Sequence, residues 1–549
     1  EALVDLALSH AKQLGAVDAA AEVSEGAGLS VSVRKGELEN VERNRDKSLG
    51  VTVYLGQKRG NASTSDFSAT AIRQTVQAAY DIARFTAEDP MAGLPDVAEV
   101  ADSYPDLDLF HPWSIDSEEA ARIALACEAA AFATSRKINN SEGAGVSAQQ
   151  SHFFTAHLRG GERGKPGIFS GGYASSRHSL SVAPIAGKGA NMQRDYWYSS
   201  MRAPGELATP EAVGRYAAER TLARLNGRKI ATTECPVLFE SPLAAGLLGS
   251  YVQATSGGAL YRNTTFLHDS LGKRVMAKHL DIVEDPHVRN GKGSAPFDDE
   301  GVRTTKRKVL SAGKVQGYFL SSYSARKLGM RTTGNAGGSH NLTLSSRLTQ
   351  PGDNLRAMFR KLGRGLFVTE LMGQGVNYVT GDYSRGASGF WVENGEIAYP
   401  VVTATHAILH VLESLGVKRI AIVAPYPQSL IDSGVQYWQS SGVEVTAMHR
   451  IVTRTSNTET IYELSSAEAS AALADFDAQG AEAILISGTG MPSLACIAGA
   501  KSGIPIVSSN LCLAWRLLDI AGAPDLAGRP APEITGWRER FAEMIDASR

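Results

Sequence analysis

The chain has 549 residues, 43% of them hydrophobic and 20% charged, enough for two to four soluble globular domains. Its 55 Lys and Arg against 57 Asp and Glu leave a near-neutral balance with no long basic block, which argues against nucleic acid as a partner. No stretch approaches the ~20 apolar residues of a membrane span, so a membrane partner is not expected either.

The start, Glu1 to Leu8, has apolar residues at helical spacing with interspersed acids. It lacks the pattern of a secretory leader, so a cytoplasmic location is expected. A helix is predicted over 3–14, strands over 29–33 and 50–55 separated by a charged segment at 34–46, and a helix over 70–84. The proline-rich stretch 89–112 reads as an extended connection and 117–135 as a helix. From about Phe153 short apolar alternations broken by glycines predict a β-rich region, with helices near 211–225 and 243–255. In the run 381–400, a loop with three glycines and Asp382, Ser384 and Arg385 feeds a hairpin whose turn is Asn394-Gly395. After Val401 strands and helices alternate, with strands at 419–423, 444–448, 483–487 and 504–508, the pattern of a parallel α/β sheet. The resulting division is 1–150, 151–401 and 402–549. Cys127, Cys235, Cys496 and Cys512 show no CxxC spacing and read as reduced, buried thiols.

Separated motifs in residues 1–401 resemble the TldD/PmbA (modulator of DNA gyrase) metallopeptidase family, on its TldE-type branch. They include Arg34 to Glu42 with Gly50-Val51-Thr52-Val53-Tyr54, Asp106 to Pro112, Arg177-His178-Ser179-Leu180-Ser181 and Arg194-Asp195-Tyr196. Asp269-Ser270-Leu271-Gly272, Glu300 to Thr304, Ser322 to Gly329 and Thr369 to Gly375 continue the series. The resemblance implies an α+β fold, a mixed α/β N-terminal domain followed by a β-rich, barrel-like one. It also implies a heterodimer with a TldD-like zinc peptidase subunit acting on unfolded peptides. A TldD-type zinc site is similar to HExxxH on a helix plus a later Cys, two imidazoles and a thiolate holding the metal while the Glu activates water. Laid on this chain, that motif puts Glu240 and Ala245 at the His positions, Ser241 at the Glu and Gly386 at the Cys. One carboxylate is too few for a catalytic zinc, so no cofactor is expected in this chain and zinc is expected in the partner. His178, the pair His279 and His287, and the pair His406 and His410 are expected to be structural. His340 and Asn335, in a glycine-rich stretch, join Asp382, Ser384 and Arg385 as expected peptide or partner contacts.

Residues 403–549 are similar to part of the Asp/Glu racemase superfamily, nearest the maleate isomerase and arylmalonate decarboxylase branch. Gly416 to Ala421, Ala424-Pro425-Tyr426, Ile484 to Leu494 and Ile504 to Asn510 carry that likeness. In that family two lobes each present an acid/base group, commonly Cys, to a small carboxylate. Here Gly488 stands at the Cys position, Cys496 lies too far along the next helix, and the sequence before 403 supplies no first lobe. Tyr426, Thr489 and Gly490 are the expected carboxylate contacts, the last two through N–H groups at a helix start. The alternatives are therefore a dicarboxylate racemase, cis-trans isomerase or decarboxylase in the C-terminal segment, and an interaction scaffold or fusion without catalysis. The change of texture near Val401 falls inside an expected strand, so the β-rich domain is expected to lack its usual last strands and to expose an edge.

Overall fold

A computed structural model describes residues 1–401 except 229, 231, 232 and 374, and much of 408–512. Residues 402–407, 409, 410, 413, 414, 427, 441, 453–463, 475, 489–492, 501, 510 and 513–549 lie outside the described residues.

The N-terminal body is one antiparallel sheet built from long strands. Asp18–Arg34 pairs with Glu37–Leu55 on one side and Ile138–Leu158 on the other. Lys58–Thr64 and Ser170–Ala186 extend it outward, and Gln193–Arg194 and Trp197–Met201 both pair with the latter. The charged segment at 34–46 is not a connection. Lys35 and Gly36, with φ of 54° and 81°, form a two-residue turn, and 37–48 continue as a strand. Ladder hydrogen bonds keep these residues extended although almost every side chain there faces water, so alternation of apolar residues was not available as a signal.

Apolar residues at odd positions of Asp18–Arg34 share one face, and that face is covered at its two ends by different helices. Ala2–Gln13 and Ala69–Phe85 pack on Ala19, Ala21, Leu49, Val51 and Val53. Ser117–Thr134 and Pro210–Ala223 pack on Val31, Val33, Val146 and Leu180. Gly60 makes the first contact close: a Cβ there would lie 2.0 Å from the Ala79 carbonyl oxygen. Because Ile138–Leu158 runs unbroken through residue 150, the sheet is continuous across the division expected there.

The β-rich region holds two four-stranded sheets. One contains Leu280–Asp285, Arg307–Ser311, Lys314–Val315 and Asn341–Ser346. The other runs Glu396–Val401, Gly386–Glu393, Gly365–Met372, Val237–Phe239, the last pair parallel. The hairpin turn at Asn394 (φ 53°) and Gly395 (φ 76°) forms as its sequence predicts. The edge expected at Glu396–Val401 is partly covered, since the Arg228 N–H donates to the Pro400 carbonyl at 2.7 Å.

In the C-terminal segment four parallel strands lie in the order Glu444–Arg450, Arg419–Ala424, Ala483–Ile486, Ile506–Ser508. Alternate residues of Arg419–Ala424 feed two cores: Ile420 and Ile422 one, Ala421 and Val423 the other. A strand buried on both faces is what a parallel α/β sheet requires. No helix among the described residues is long and apolar enough to cross a membrane.

Candidate functional site

The strand Val237–Phe239 is fixed against Gly365–Met372, and the Glu240 N–H continues the ladder by donating to the Val368 carbonyl at 2.9 Å. Glu240 is then the residue before the helix Ser241–Ala254, a place where a carboxylate ordinarily accepts from the first-turn N–H groups. Its side chain makes no such cap. Instead both carboxylate oxygens accept from Arg220, at 2.5 and 3.1 Å.

That pair belongs to a larger buried array. Arg220 Nε lies 3.4 Å from Asp195, Arg224 lies 3.4 Å from the other Asp195 oxygen, and Arg224 Nη2 donates to Glu370 at 2.5 Å and to the Ser388 hydroxyl at 2.6 Å. Arg194 lies 3.4 Å from the second Glu370 oxygen. Arg194, Arg220 and Arg224 thus face Asp195, Glu240 and Glu370, and Arg194, at the exposed rim of the array, also lies 3.7 Å from Glu142. Burial alone would lower the Arg220 pKa, but its hydrogen bonds to Glu240 and the Asp195 charge outweigh burial and raise it. The guanidinium also lies over the Trp197 ring, 5.0 Å from its centroid.

The positions that the family resemblance assigns to a metal are therefore chemically committed or empty of donors. Glu240 neutralises Arg220; Ala245 and Gly386 have no ligating atom, and Ser241 has no carboxylate with which to activate water. The residues present do not fit a catalytic zinc. Among the described residues no group of three His, Cys, Asp or Glu side chains is placed to hold a metal ion.

The other expected contacts fall in two places. Asp382 and Tyr383 pair with Val376 and Asn377 in a short hairpin, where Asp382, Tyr383 and Ser384 are exposed. Asp382 accepts from the Thr380 hydroxyl at 2.6 Å, Ser384 N–H donates to the Gly375 carbonyl at 2.6 Å, and Arg385 Nε reaches the Met372 carbonyl at 3.5 Å. These bonds fix the loop while leaving the Asp382 and Ser384 side chains accessible. Gly375 is obligatory, because a Cβ would lie 1.9 Å from the Ser384 carbonyl oxygen.

Asn335 corrects the expectation. It is buried, its amide nitrogen donates to Glu284 at 2.8 Å and to the Gly338 carbonyl at 3.0 Å, and its oxygen accepts from Arg307 and Thr333 at 2.9 and 2.7 Å. With every site on the amide used, no peptide can engage it. His340 is half-buried, its N–H donating to Glu284 at 2.9 Å and its Nε2 lying 2.9 Å from the Gly334 carbonyl. No hydrogen bond or ion pair among the described residues joins Asn335 and His340 to the 376–385 hairpin.

The other histidines weighed as metal candidates have structural partners where they are described. His178 Nε2 lies 2.8 Å from the His111 carbonyl, His279 Nδ1 2.9 Å from the Ser346 hydroxyl, and His287 Nε2 3.0 Å from the Thr304 hydroxyl. His406 and His410 lie outside the described residues. All four cysteines are free; burial pushes Cys127 and Cys512 up to about 12, so neither is a thiolate at neutral pH. In the C-terminal segment Tyr426 is half-buried against both cores, Gly488 follows the strand Ala483–Ile486 with φ 148°, and Cys496 is core. Thr489 and Gly490 lie outside the described residues.

The ion array was the feature that sequence reasoning missed, although Arg194-Asp195-Tyr196 and Glu370 lay within its motifs. Nothing in linear spacing links residue 195 to 220, 240 and 370.

Comparison with known proteins fits this geometry. Models of the PmbA/TldA metallopeptidase match in chain order: domain 1 over residues 19–83, the central domain over 110–225 and the C-terminal domain over 232–416. A model of arylmalonate decarboxylase matches residues 353–530. Metalloprotease PmbA of Escherichia coli O157:H7 is 49% identical over 385 residues, covering 70% of this chain and 83% of that protein. A PmbA homolog of Haemophilus influenzae is 45% identical, covering 74% and 87%. A solved structure of TldE from Thermococcus kodakarensis superposes with a TM-score of 0.61 at 16% identity over 73% of this chain and 89% of that one, a likeness of fold. Fold and site together define a metallopeptidase-type scaffold in which Glu240, at one of the expected ligand positions, is engaged by an arginine–carboxylate array. The chain belongs to the PmbA/TldD metallopeptidase family, with a segment toward its C-terminal end that is similar to arylmalonate decarboxylase.

Proposed function

We propose that residues 1–401 form the non-catalytic partner of a TldD-like zinc peptidase, completing a complex that degrades or processes unfolded peptides in the cytoplasm. The pairing of Glu240 with Arg220 carries this reading, because the carboxylate at a ligand position already has its cation. In the complex, the exposed Asp382 and Ser384 and the adjacent Arg385 meet peptide or partner, with His340 at a second contact. Apolar side chains left in water nearby, Val379 and Tyr383 on the hairpin and Val237 and Leu247 by the Glu240 corner, suit burial against a protein surface. On this reading the C-terminal segment adds no catalysis of its own; among its described residues Cys496 is buried core and Gly488 offers no acid/base group.

The test mixes the purified chain with a TldD-like subunit and an unstructured peptide, with metal analysis of each component. Cleavage is expected only in the mixture, with zinc in the partner. Cleavage by this chain alone, abolished by a chelator, overturns the proposal.

A further inference from the structure

The strand Glu37–Leu55 is an edge strand for most of its length. Lys58–Thr64 covers it only from Leu49, opposite Thr64, to Leu55, opposite Lys58, so residues 37–48 pair with Asp18–Arg34 alone. Among the described residues no hydrogen bond reaches the backbone of 38–48 from the outer side. The direction of the unused groups follows from the turn. Gly56 and Gln57 form a two-residue turn closing on the Leu55–Lys58 pair, so odd residues of the strand bond outward, to Lys58–Thr64. The register against Asp18–Arg34 is regular from Asn40 to Tyr54 and shifts only between Ser32 and Val33. Carried back along the strand, the alternation therefore leaves the backbone N–H and C=O groups of Val41, Arg43, Arg45 and Lys47 aimed at open solvent.

An uncovered edge of this length invites indiscriminate pairing, and charged side chains discourage it. Here the charges are also sorted. Glu37, Glu39 and Glu42 stand in the first half, and Arg43, Arg45 and Lys47 in the second, where Asp46 is the one acid. All seven are exposed, and the contacts they make lie at the surface. Glu39 is 3.9 Å from Arg34, Arg45 pairs with Glu25, and Lys47 sits over the Phe67 ring, 5.1 Å from its centroid.

A strand with one acidic and one basic half is complementary to an identical strand running the other way. With Val41 opposite Val41 on a two-fold axis, Glu39 of each copy faces Arg43 of the other, Glu42 faces Asn40 and Leu38 faces Asn44, so no like charges are opposed. An axis at Glu42 or Arg43 would set like charges together at its centre, and one at Asn44 would oppose Arg43 to Arg45 and Glu42 to Asp46. The Val41 register also covers two apolar side chains left in water, Val41 at 40% and Leu38 at 57% exposure. We propose that two copies of this chain associate by antiparallel pairing of this edge about Val41, joining their N-terminal sheets into one. The interface does not rest on the peptidase-partner reading, and its test uses this chain alone.

Sedimentation equilibrium of the full chain at increasing concentration is expected to show a monomer–dimer equilibrium. Arg43→Glu alone and Glu39→Arg alone each set two like-charged pairs across the axis, and each is expected to weaken dimerisation by about tenfold or more. Mixed in equal amounts, the two variants oppose unlike charges again and are expected to form a mixed dimer with the affinity of the unaltered chain. Val41→Pro removes an outward N–H while leaving the ladder to Asp18–Arg34 in place, and is expected to abolish the dimer. A chain that stays monomeric overturns the proposal. So does a dimer that neither charge variant weakens, a mixture no more dimeric than its parts, or undiminished dimerisation of Val41→Pro. Should a charge variant fail to fold, the dimer of the unaltered chain and its loss in Val41→Pro carry the test.

Discussion

Replacing Glu240 by Ala tests whether its carboxylate is a structural counter-ion. Arg220 and Glu240 side chains are 11% and 15% exposed, and removal of the carboxylate leaves Arg220 with Asp195 at 3.4 Å as its remaining anion. Breaking a buried ion pair from one side costs ~3–5 kcal/mol, and the surviving Asp195 contact places this change near about 3 kcal/mol. For a domain of ~200 residues that corresponds to a fall in Tm of roughly 6–12 °C. Urea unfolding followed by tryptophan fluorescence reads the loss, with Trp197 stacked directly on Arg220. Arg220→Met is expected to cost a similar amount, while Glu240→Leu with Arg220→Met together is expected within ~1 kcal/mol of the unaltered chain, because an apolar pair leaves no charge unpaired. A cost below about 0.5 kcal/mol for Glu240→Ala, the value of a surface pair, would mean that solvent screens the carboxylate. The argument that Arg220 occupies it would then fail.

Other expectations follow from single contacts. Asp89 is held at about 2, first by the Tyr323 hydroxyl, then by the Met91 N–H and Lys327, below its ordinary 3.8. A depressed acid stabilises the fold above its unfolded value, so this contribution is present above about pH 4 and is lost as pH falls toward 2; Asp89→Asn should flatten the Tm-versus-pH curve in that window. Gly395→Ala places a Cβ 2.9 Å from the Arg360 Cα at a positive φ and should cost about 1–3 kcal/mol, read by urea unfolding. Gly375→Ala should displace Ser384 and lower peptide cleavage by the mixed complex while circular dichroism of the N-terminal sheet is unchanged. Full activity in that variant would separate the hairpin from function.

How far the sequence reached can be seen element by element. The helices at Ala2–Gln13, Ala69–Phe85 and Ser117–Thr134 and the hairpin at Asn394-Gly395 were legible because each depends on local periodicity or on one turn's φ angles. The exposed half of Glu37–Leu55 was not, since its strand state comes from neighbours Asp18–Arg34 and not from its own side chains. Asn335 was read as a contact for its glycine-rich surroundings, whereas burial against Glu284 and Arg307 decides its role.

Residue identity alone established that Ala245 and Gly386 bring no donor to a metal, because a methyl group and a hydrogen cannot ligate whatever the fold. Only the folded chain decided what Glu240 does. Its partner lies twenty residues away on another helix and is steadied by Asp195, and a buried charge takes its meaning from the opposite charges packed around it.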